Sequence, residues 1–156
     1  MRRSDCEVTD RAAINQIILR CPCCRLGLCD HGRAYIVPMS FGFTDRDGKR
    51  TFYFHSATEG RKLDLLRQNP YAGFELDAFC GAVIGETACS GTTRYQSVIG
   101  SGPVTILADR ADKRAALMEI MRRNTDRSDW AIPDAALDNV CVFRLDVETL
   151  SCKQHL

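Results

Sequence analysis

The stretch Tyr53-Phe54-His55-Ser56-Ala57-Thr58-Glu59-Gly60-Arg61-Lys62 decides the fold, because it joins a predicted strand to a predicted helix. Ahead of Ser56 the residues alternate with the period of a strand, which puts Phe52 and Phe54 on the same face. Ser56 and Glu59 have the spacing of a capping box. The stretch therefore predicts a helix that has Ser56 as its N-cap and runs to about residue 69.

Two basic residues, Arg61 and Lys62, follow inside the first turns of this predicted helix. They are unfavourable there, because the positive end of the helix dipole prefers anions. A phosphate group would remove the conflict, since free N–H groups and basic side chains together form an anion site. The alternative is an ordinary capped helix whose Arg61 and Lys62 are solvated, and this stretch alone does not distinguish the two.

Outward from this stretch, alternating apolar residues and turn sequences predict six strands in hairpin order. The predicted strands cover residues 24–29, 34–41, 51–55, 71–77, 94–107 and 141–147, and residues 78–92 are expected to form a loop or an irregular hairpin. Helices are expected only around this pattern, and the sequence contains neither a β-α-β alternation nor a G-x-G-x-x-G motif. The sequence therefore predicts a mainly β fold, an antiparallel β-barrel with peripheral helices.

The length of 156 residues predicts a single domain over 1–156, with an N-terminal helix within 1–22 and a polar C-terminal tail at 148–156. Asp109 is expected to cap a further helix. Pro38 interrupts the apolar strand at 34–41, and proline cannot donate a ladder hydrogen bond. This strand must therefore lie at an edge of the sheet or break near Pro38.

Composition excludes several classes of protein. The net charge of +1 argues against a nucleic-acid binder, which usually has a strong basic excess. No apolar run is long enough to span a membrane, and the charged N-terminus leads into no signal sequence. We therefore expect a cytoplasmic protein whose nine cysteines are reduced thiols.

The cysteines allow one metal-site hypothesis. Cys21, Cys24, Cys29 and His31 are close in sequence and have the ligand types of a tetrahedral zinc site. Cys24 and Cys29, however, are an odd number of residues apart on a predicted strand and so face opposite sides. We therefore predict no metal ligands, and we interpret Cys80 and Cys89 as core or loop thiols.

The ordered set of motifs along the chain resembles a known family. The motifs are Arg2-Arg3, Tyr35-Ile36-Val37-Pro38-Met39-Ser40-Phe41, Tyr53-Phe54-His55-Ser56-Ala57 with Gly60-Arg61-Lys62, Tyr95-Gln96-Ser97-Val98-Ile99-Gly100-Ser101-Gly102, and Lys153-Gln154. In this order they resemble the pyridoxamine 5′-phosphate oxidase-related flavoproteins, in particular the branch associated with 5-nitroimidazole resistance (Nim). No single motif is specific, but the set covers nearly the whole chain.

The resemblance implies a six-stranded antiparallel FMN-binding split barrel. It also implies a homodimer that holds FMN in a cleft between the subunits. A strand that is apolar on both faces at Tyr35–Phe41 agrees with this, because a lone subunit would leave it uncovered. We expect a dimer interface that buries more than ~2,000 Å² in total.

The resemblance further implies which residues bind the cofactor. Ser56, Arg61 and Lys62 would hold the phosphate, and the backbone of residues 37–40 would lie along the isoalloxazine ring. Residues 95–97 would line the cleft, from the same or the other subunit. The full implied set is Val37, Pro38, Met39, Ser40, His55, Ser56, Ala57, Arg61, Lys62, Tyr95, Gln96 and Ser97. For Gln96 and Ser97 the alternative is a half-exposed strand face.

His55 is the candidate catalytic residue, because an imidazole beside the flavin ring or a substrate could donate a proton. In the Nim branch the histidine of this motif is linked with activity on nitro compounds. The alternative is a histidine at a strand end, satisfied by hydrogen bonds.

The resulting hypothesis is an FMN-dependent oxidoreductase that reduces small organic substrates, nitroimidazole-like or quinone-like, with NAD(P)H as electron source. One alternative is a flavin carrier or sensor without turnover, and another is a cysteine-based zinc module. Pyridoxamine phosphate oxidases proper are longer at the C-terminus and carry a basic substrate-phosphate site there. This chain ends at His155-Leu156, so we expect no role in vitamin B6 chemistry.

Overall fold

Strands dominate the computed structural model, which describes residues 4–125, 127 and 129–156. The strands are β1 (Cys24–Asp30), β2 (Arg33–Met39), β3 (Gly42–Arg46), β4 (Lys49–Ser56), β5 (Tyr71–Val83), β6 (Thr92–Ile106), β7 (Cys141–Asp146) and β8 (Thr149–His155). The helices are α1 (Arg11–Arg20), α2 (Arg61–Gln68), α3 (Arg110–Thr125) and α4 (Asp134–Asp138), after a short 3₁₀ turn at Ser4–Cys6. The prediction of a mainly β protein with peripheral helices is confirmed. The motif Arg2-Arg3 lies outside the described residues.

All strand pairs are antiparallel, in the order β2-β1-β5-β6-β7-β4-β3, with β8 also on β6. The strand β6 forks: residues 95–101 pair with β8, whereas residues 104–106 pair with β7. Gly102 lies at the fork, where an added Cβ would lie 1.9 Å from the carbonyl oxygen of Asp146. We call β2-β1-β5-β6-β8 layer A and β3-β4-β7-β6 layer B. The two end strands, β2 and β3, do not pair with each other, so the sheet is not closed.

The predicted count of six strands is wrong, because the described residues form eight. The apolar run at 34–41 does not continue as one strand, since the chain leaves β2 after Met39 and starts β3 at Gly42. The segment expected to be a polar tail forms β8 instead, along β6. Its sequence is mostly polar, and of its described residues only Cys152 and Leu150 contact the core, so no apolar alternation predicts this strand.

The segment at 78–92 forms an irregular hairpin, as the sequence predicts. β5 continues to Val83 and β6 begins at Thr92, with one bulge at Cys80, where the register shifts between Phe79 and Gly81. Gly81 has φ of 124°, a conformation that favours glycine and allows this bulge.

The core lies between the layers and under the helices. Phe52 and Phe54 on β4 are fully buried, as their alternation predicts, and Phe54 stacks on Phe143 of β7 at 5.3 Å. The first helix has Asp10 as its N-cap and buries three isoleucines against the same core. Asp109 caps α3 by accepting from the N–H groups of Ala111 and Asp112 at 2.8 and 3.1 Å. In the part of the chain that is described, no helix is long and apolar enough to cross a membrane.

Candidate functional site

The turn between β4 and α2 differs from the predicted capping box. Ser56 ends β4, and its hydroxyl donates to the carbonyl of Ala57 at 2.8 Å instead of capping the helix. α2 begins at Arg61, with Gly60 as its N-cap at φ 127°. The prediction of Ser56 as N-cap is therefore wrong, because glycine supplies the positive φ that the tight entry into α2 needs. The predicted end of the helix is confirmed, with Asn69 as C-cap.

Arg61 points from the start of α2 toward β1. Its Nη2 donates to Oδ2 of Asp30 at 2.5 Å, and its guanidinium lies 4.7 Å from the ring centroid of Tyr35. The hydrogen bond from Arg61, with a second one from His31, lowers the pKa of Asp30. The same hydrogen bond, which Arg61 donates to Asp30, raises the pKa of Arg61. Arg61 thus already has a carboxylate partner, which the sequence did not predict.

Lys62 has no carboxylate partner among the described residues. It is half-buried, and its Nζ lies 3.9 Å from the Sδ of Met39 on β2. This contact brings the start of α2 to the end of β2, so two of the predicted site segments meet here. A partly buried ammonium without a counter-ion favours a bound anion.

Two further cations belong to this region. Burial raises the pKa of the Cys141 thiol, and Lys113, Arg67 and Lys62 act against that rise. Cys141 is the cross-strand neighbour of Ser56, so these three positive charges lie around the end of β4. Sequence reasoning missed Arg67 and Lys113, because nothing in their spacing relates them to Ser56.

Arg67 is tied to the loop that precedes α2. Its Nη2 donates to the carbonyl of Thr58 at 3.4 Å, and its Nη1 lies 3.1 Å from Oδ1 of Asp64. One turn of helix separates Asp64 from Arg67, so this pair is a local one. Arg67 therefore holds the loop while it adds positive charge to the site.

β2 is an edge strand, as Pro38 predicts, and it pairs with β1 alone among the described strands. Val37 and Met39 lie opposite the buried Leu26 and Cys24, so both side chains face the core, while Pro38 is exposed. Ser40 follows the strand and is exposed. The unpaired edge of β2 leaves backbone groups open to a ligand, which agrees with the role implied for the backbone of residues 37–40.

His55 lies at the end of β4, two residues beyond Tyr53, on the same outward face. Its side chain is exposed and makes no hydrogen bond to a described residue. The alternative of a strand-end histidine satisfied by hydrogen bonds therefore lacks support. Ala57 follows in the exposed loop between β4 and α2.

The third predicted segment, residues 95–97, lies apart from the others. It lies in the first half of β6, which is three strand spacings, or about 14 Å, from β2 along layer A. Tyr95 and Ser97 share one face, with the ring of His155 at 6.4 Å from that of Tyr95. Gln96 faces the other way, is buried, and donates from Nε2 to Oε1 of Gln154 at 3.2 Å. The half-exposed alternative is therefore wrong for Gln96, and within one chain β1 and β5 lie between this segment and β2.

The zinc alternative has no ligand set in the described part of the chain, where no three His, Cys, Asp or Glu side chains are arranged to hold a metal ion. Cys24 is buried and Cys29 is exposed, which confirms that they face opposite sides. Burial raises the pKa of Cys21 to about 11 and that of Cys24 further. These thiols are therefore protonated core groups at neutral pH. His31 is held by Asp30 at 2.7 Å.

Comparison with known proteins extends over nearly the whole chain. The family model described as pyridoxamine 5′-phosphate oxidase matches residues 10–154. A protein from Bacteroides thetaiotaomicron VPI-5482, provisionally assigned as a 5-nitroimidazole antibiotic resistance protein, is 32% identical, with a TM-score of 0.81. That alignment covers 95% of this chain and 86% of the Bacteroides chain. No curated protein matches the sequence.

Two more distant structures share the fold. The flavocytochrome Anf3 from Azotobacter vinelandii is 19% identical with a TM-score of 0.83, over 100% of this chain and 72% of its own. An FAD and heme binding protein from Mycobacterium smegmatis is 20% identical with a TM-score of 0.80, over 95% of this chain and 72% of its own. Taken with the family match, these findings identify the chain: it belongs to the pyridoxamine 5′-phosphate oxidase-related family and fits its 5-nitroimidazole-resistance branch.

Proposed function

We propose that this protein is an FMN-dependent oxidoreductase that reduces small organic substrates of the nitroimidazole or quinone type. The observation that carries the proposal is the position of Lys62, a partly buried cation without a carboxylate partner among the described residues, where β2, β4 and α2 meet. The 32% identity to the Bacteroides protein supports the substrate type. NAD(P)H is the proposed electron source, and the cytoplasm is the proposed location.

The phosphate of FMN would bind at the start of α2. Lys62 supplies a charge that no described carboxylate neutralises, and Arg67 and Lys113 lie close enough to Cys141, the cross-strand neighbour of Ser56, to act on its thiol. The hydroxyl of Ser56 is available to bind the phosphate, since within the described residues it donates only to the neighbouring carbonyl of Ala57. Charge-assisted hydrogen bonds of this kind are the strong ones in phosphate recognition. Arg61 can contribute only in competition with Asp30.

The ring of the flavin would lie along the free edge of β2, over the backbone of residues 37–40. Bound flavin supplies the two-electron chemistry, and the chain supplies position, charge and protons. His55 is exposed on β4 next to the proposed phosphate site. We assign it the delivery of a proton to the substrate, because its ring nitrogens are not held by another described residue.

Tyr95 and Ser97 can join this site only from a second copy, because about 14 Å of sheet separates them from β2 in one chain. We therefore propose a homodimer with a shared cleft. Gln96 would support the cleft from inside β6, through its bond to Gln154.

The outer face of layer A has the shape that such a dimer needs. Ile36 on β2 and Ile99 on β6 are 59% and 56% exposed, and a shallow, mostly apolar trough of about 350 Å³ lies between them. Gly27 and Gly73 form its floor. Two exposed isoleucines beside a glycine floor can interlock with a second copy across a two-fold axis, since such an interface is self-complementary.

The test is to purify the protein and measure the visible absorbance of an oxidised flavin. Oxidation of NADPH is then followed at saturating FMN, with and without metronidazole or menadione. Flavin binding with acceptor-dependent NADPH oxidation is the expected result. Flavin binding without turnover would instead indicate the carrier or sensor alternative, and a protein that binds no flavin would contradict the proposal.

A further inference from the structure

Three cysteines between α1 and β1 take no part in the proposed flavin site. Cys21 is the C-cap of α1, Cys24 begins β1, and Cys23 lies between them after Pro22. We call these three residues the α1–β1 cysteine cluster. Cys21 and Cys24 are fully buried, whereas Cys23 is half-buried. Cys23 is therefore the residue of the cluster that solvent reaches.

Arg123, near the end of α3, lies against this cluster. Its Nη2 donates to the carbonyl oxygen of Cys21, and its guanidinium lies 3.7 Å from the ring centroid of the buried Phe41. Its Nη1 donates to Oδ1 of Asn124 at 3.3 Å. These partners are all neutral, and no carboxylate among the described residues pairs with Arg123. The guanidinium is thus a partly buried positive charge without a counter-ion in the described part of the chain.

One donor of Arg123 also lacks an acceptor. Its Nε is buried and makes no hydrogen bond within the described residues. The position of Arg123 at the C-terminal end of α1 is favourable for a cation, but this explains only the bond from Nη2. Unsatisfied buried groups are rare in folded proteins, and a redox or catalytic role is one of their explanations. An anion at this place would satisfy both the charge and the free donor.

The cluster contains the groups that can supply this anion. Burial lowers the pKa of Arg123, and the thiols of Cys21, Cys24 and Cys23 act against that shift, so all three lie near the guanidinium. Burial raises the pKa of Cys21 to about 11 and that of Cys24 further, so both stay protonated at neutral pH. The remaining candidate is Cys23. A partly exposed thiol beside an unpaired cation has the surroundings that are typical of reactive cysteines.

We propose that Cys23 is a reactive cysteine that exchanges with small-molecule disulfides, and that Arg123 stabilises the negative charge on its sulfur. In this step the thiolate of Cys23 attacks one sulfur of the small disulfide, and a new S–S bond joins that half to Cys23. The S–S bond of the small molecule breaks, and its other half leaves as a thiolate that takes a proton from water. Cys23 is oxidised and the departing half is reduced. The proposal does not depend on flavin chemistry, because neither residue belongs to the proposed FMN site.

The mixed disulfide on Cys23 should persist until an external thiol removes it. To release the bound half from within the chain, a neighbouring thiol would have to ionise and attack the sulfur of Cys23. Cys21 and Cys24 are buried and protonated, so neither is suited to this attack. The cluster therefore predicts a reversible cap on Cys23 rather than a disulfide within the chain.

The first measurement compares the alkylation rates of the cysteines in the reduced, full-length protein. Limiting iodoacetamide is added at neutral pH, and mass spectrometry of the peptides follows each cysteine over time. The exposed Cys29, Cys80 and Cys89 are the internal references. We expect Cys23 to react at least about tenfold faster than each of them, although it is less exposed. A rate at or below theirs would overturn the proposal.

Substitution of Arg123 tests the cause of this reactivity. Arg123→Gln should slow the alkylation of Cys23 by about tenfold, the effect of one lost cation beside the thiolate, and leave the exposed references unchanged. Arg122→Gln is the matched control, because Arg122 is the adjacent residue and pairs with Glu119 at 3.1 Å. An unchanged rate for Cys23 in folded Arg123→Gln would contradict the role of Arg123.

The buried thiols report whether these variants fold. Cys21 and Cys24 should resist alkylation in a folded protein, so their modification would reveal unfolding. If Arg123→Gln unfolds, Arg123→Met repeats the test, because methionine keeps an apolar contact with Phe41 and removes the charge.

Oxidised glutathione is the probe for the exchange step itself. The mass of the protein should rise by one glutathionyl group, peptide mapping should place that group on Cys23, and dithiothreitol should remove it. Cys23→Ser should prevent the adduct, whereas Cys29→Ser, at an exposed position, should not. An adduct on the exposed cysteines alone, or a disulfide between Cys21 and Cys24 in place of the adduct, would overturn the proposal.

Discussion

Arg61 and Asp30 form an ion pair between α2 and β1, with Nη2 and Oδ2 at 2.5 Å. The next residue, Lys62, has no carboxylate partner among the described residues. Two adjacent basic residues that look equivalent in sequence thus differ in their surroundings. Arg61 already has its counter-ion, and Lys62 is available to a ligand.

The first prediction concerns the proposed phosphate anchor. FMN should bind more tightly than riboflavin by about two to four powers of ten, the effect of two or three charge-assisted hydrogen bonds. Lys62→Ala should lower FMN affinity by at least about tenfold and leave riboflavin affinity unchanged. Flavin fluorescence quenching measures both. Lys49→Ala removes an exposed lysine elsewhere and should change neither. Equal affinities for FMN and riboflavin in the wild type would contradict the anchor.

The second prediction concerns Asp30, which competes with any phosphate for Arg61. Asp30→Asn should raise FMN affinity a few-fold, because an exposed ion pair contributes little and Arg61 then becomes available. Arg61→Ala should cost less FMN affinity than Lys62→Ala. The same fluorescence titration decides the order. A larger loss for Arg61→Ala would show that the pair with Asp30 opens on binding.

Much of this arrangement follows from the sequence, because period and turn residues act locally. The alternation around Phe52 and Phe54, the cap at Asp109 and the edge position of Pro38 all agree with the structure. Ser56 disagrees, because a capping box predicts the helix one turn too early when a glycine with positive φ follows. Ser56 is a residue type that commonly caps helices, but Gly60 occupies the N-cap position of α2.

The features that could not be predicted depend on contacts between distant parts of the chain. The pair of Arg61 with Asp30 spans 31 positions, and the paired residues of β6 and β8 are 48 to 60 positions apart. Neither leaves a periodic pattern, because each involves polar groups whose partners only the fold selects. The same holds for Arg67, which resembles an ordinary helix-surface arginine until Cys141 is placed beside it.

The third prediction concerns the proposed dimer. Gly73→Leu should fill the trough on layer A, because a Cβ at Gly73 meets nothing closer than 3.8 Å within the chain. The monomer should therefore fold normally while the dimer weakens. Sedimentation velocity at micromolar concentration should show a dimer for the wild type and for Gly73→Ala, and a monomer for Gly73→Leu. FMN affinity should fall with it, since Tyr95 would no longer reach the cleft. A Gly73→Leu dimer would rule out this interface.

The fourth prediction concerns the buried thiols. Burial raises the pKa values of Cys21 and Cys152 from 9.0 to about 11. Below about pH 9 both thiols are protonated in the folded and unfolded states, so they add no pH dependence. Between about pH 9 and 11 they ionise only when unfolded, so the free energy of unfolding should fall as pH rises, by about 2 kcal/mol per thiol.

Urea denaturation at about pH 8 and about pH 10.5 measures this loss. Other groups titrate in the same range, so the comparison is between variants. Cys152→Ala should reduce the loss on going to high pH, even where it lowers stability at about pH 8. Cys89→Ala, at an exposed position, should leave the loss unchanged. An identical loss in all three proteins would show that the thiols do not cause it.

The last prediction separates chemistry from cofactor binding at His55. Its ring is exposed and bonded to no described residue, so its removal should neither disturb the fold nor loosen FMN. If it delivers a proton during substrate reduction, His55→Ala should lower turnover by about 10²-fold, the lower end of general acid catalysis. His55→Gln should be as slow, because glutamine can form hydrogen bonds but does not transfer protons at this pH. NADPH oxidation at saturating FMN measures turnover, and flavin fluorescence measures affinity. Arg110→Gln is the control, since Arg110 pairs with Asp138 away from this site. Full activity in His55→Gln would mean that the site needs a hydrogen bond at this position and not a proton donor.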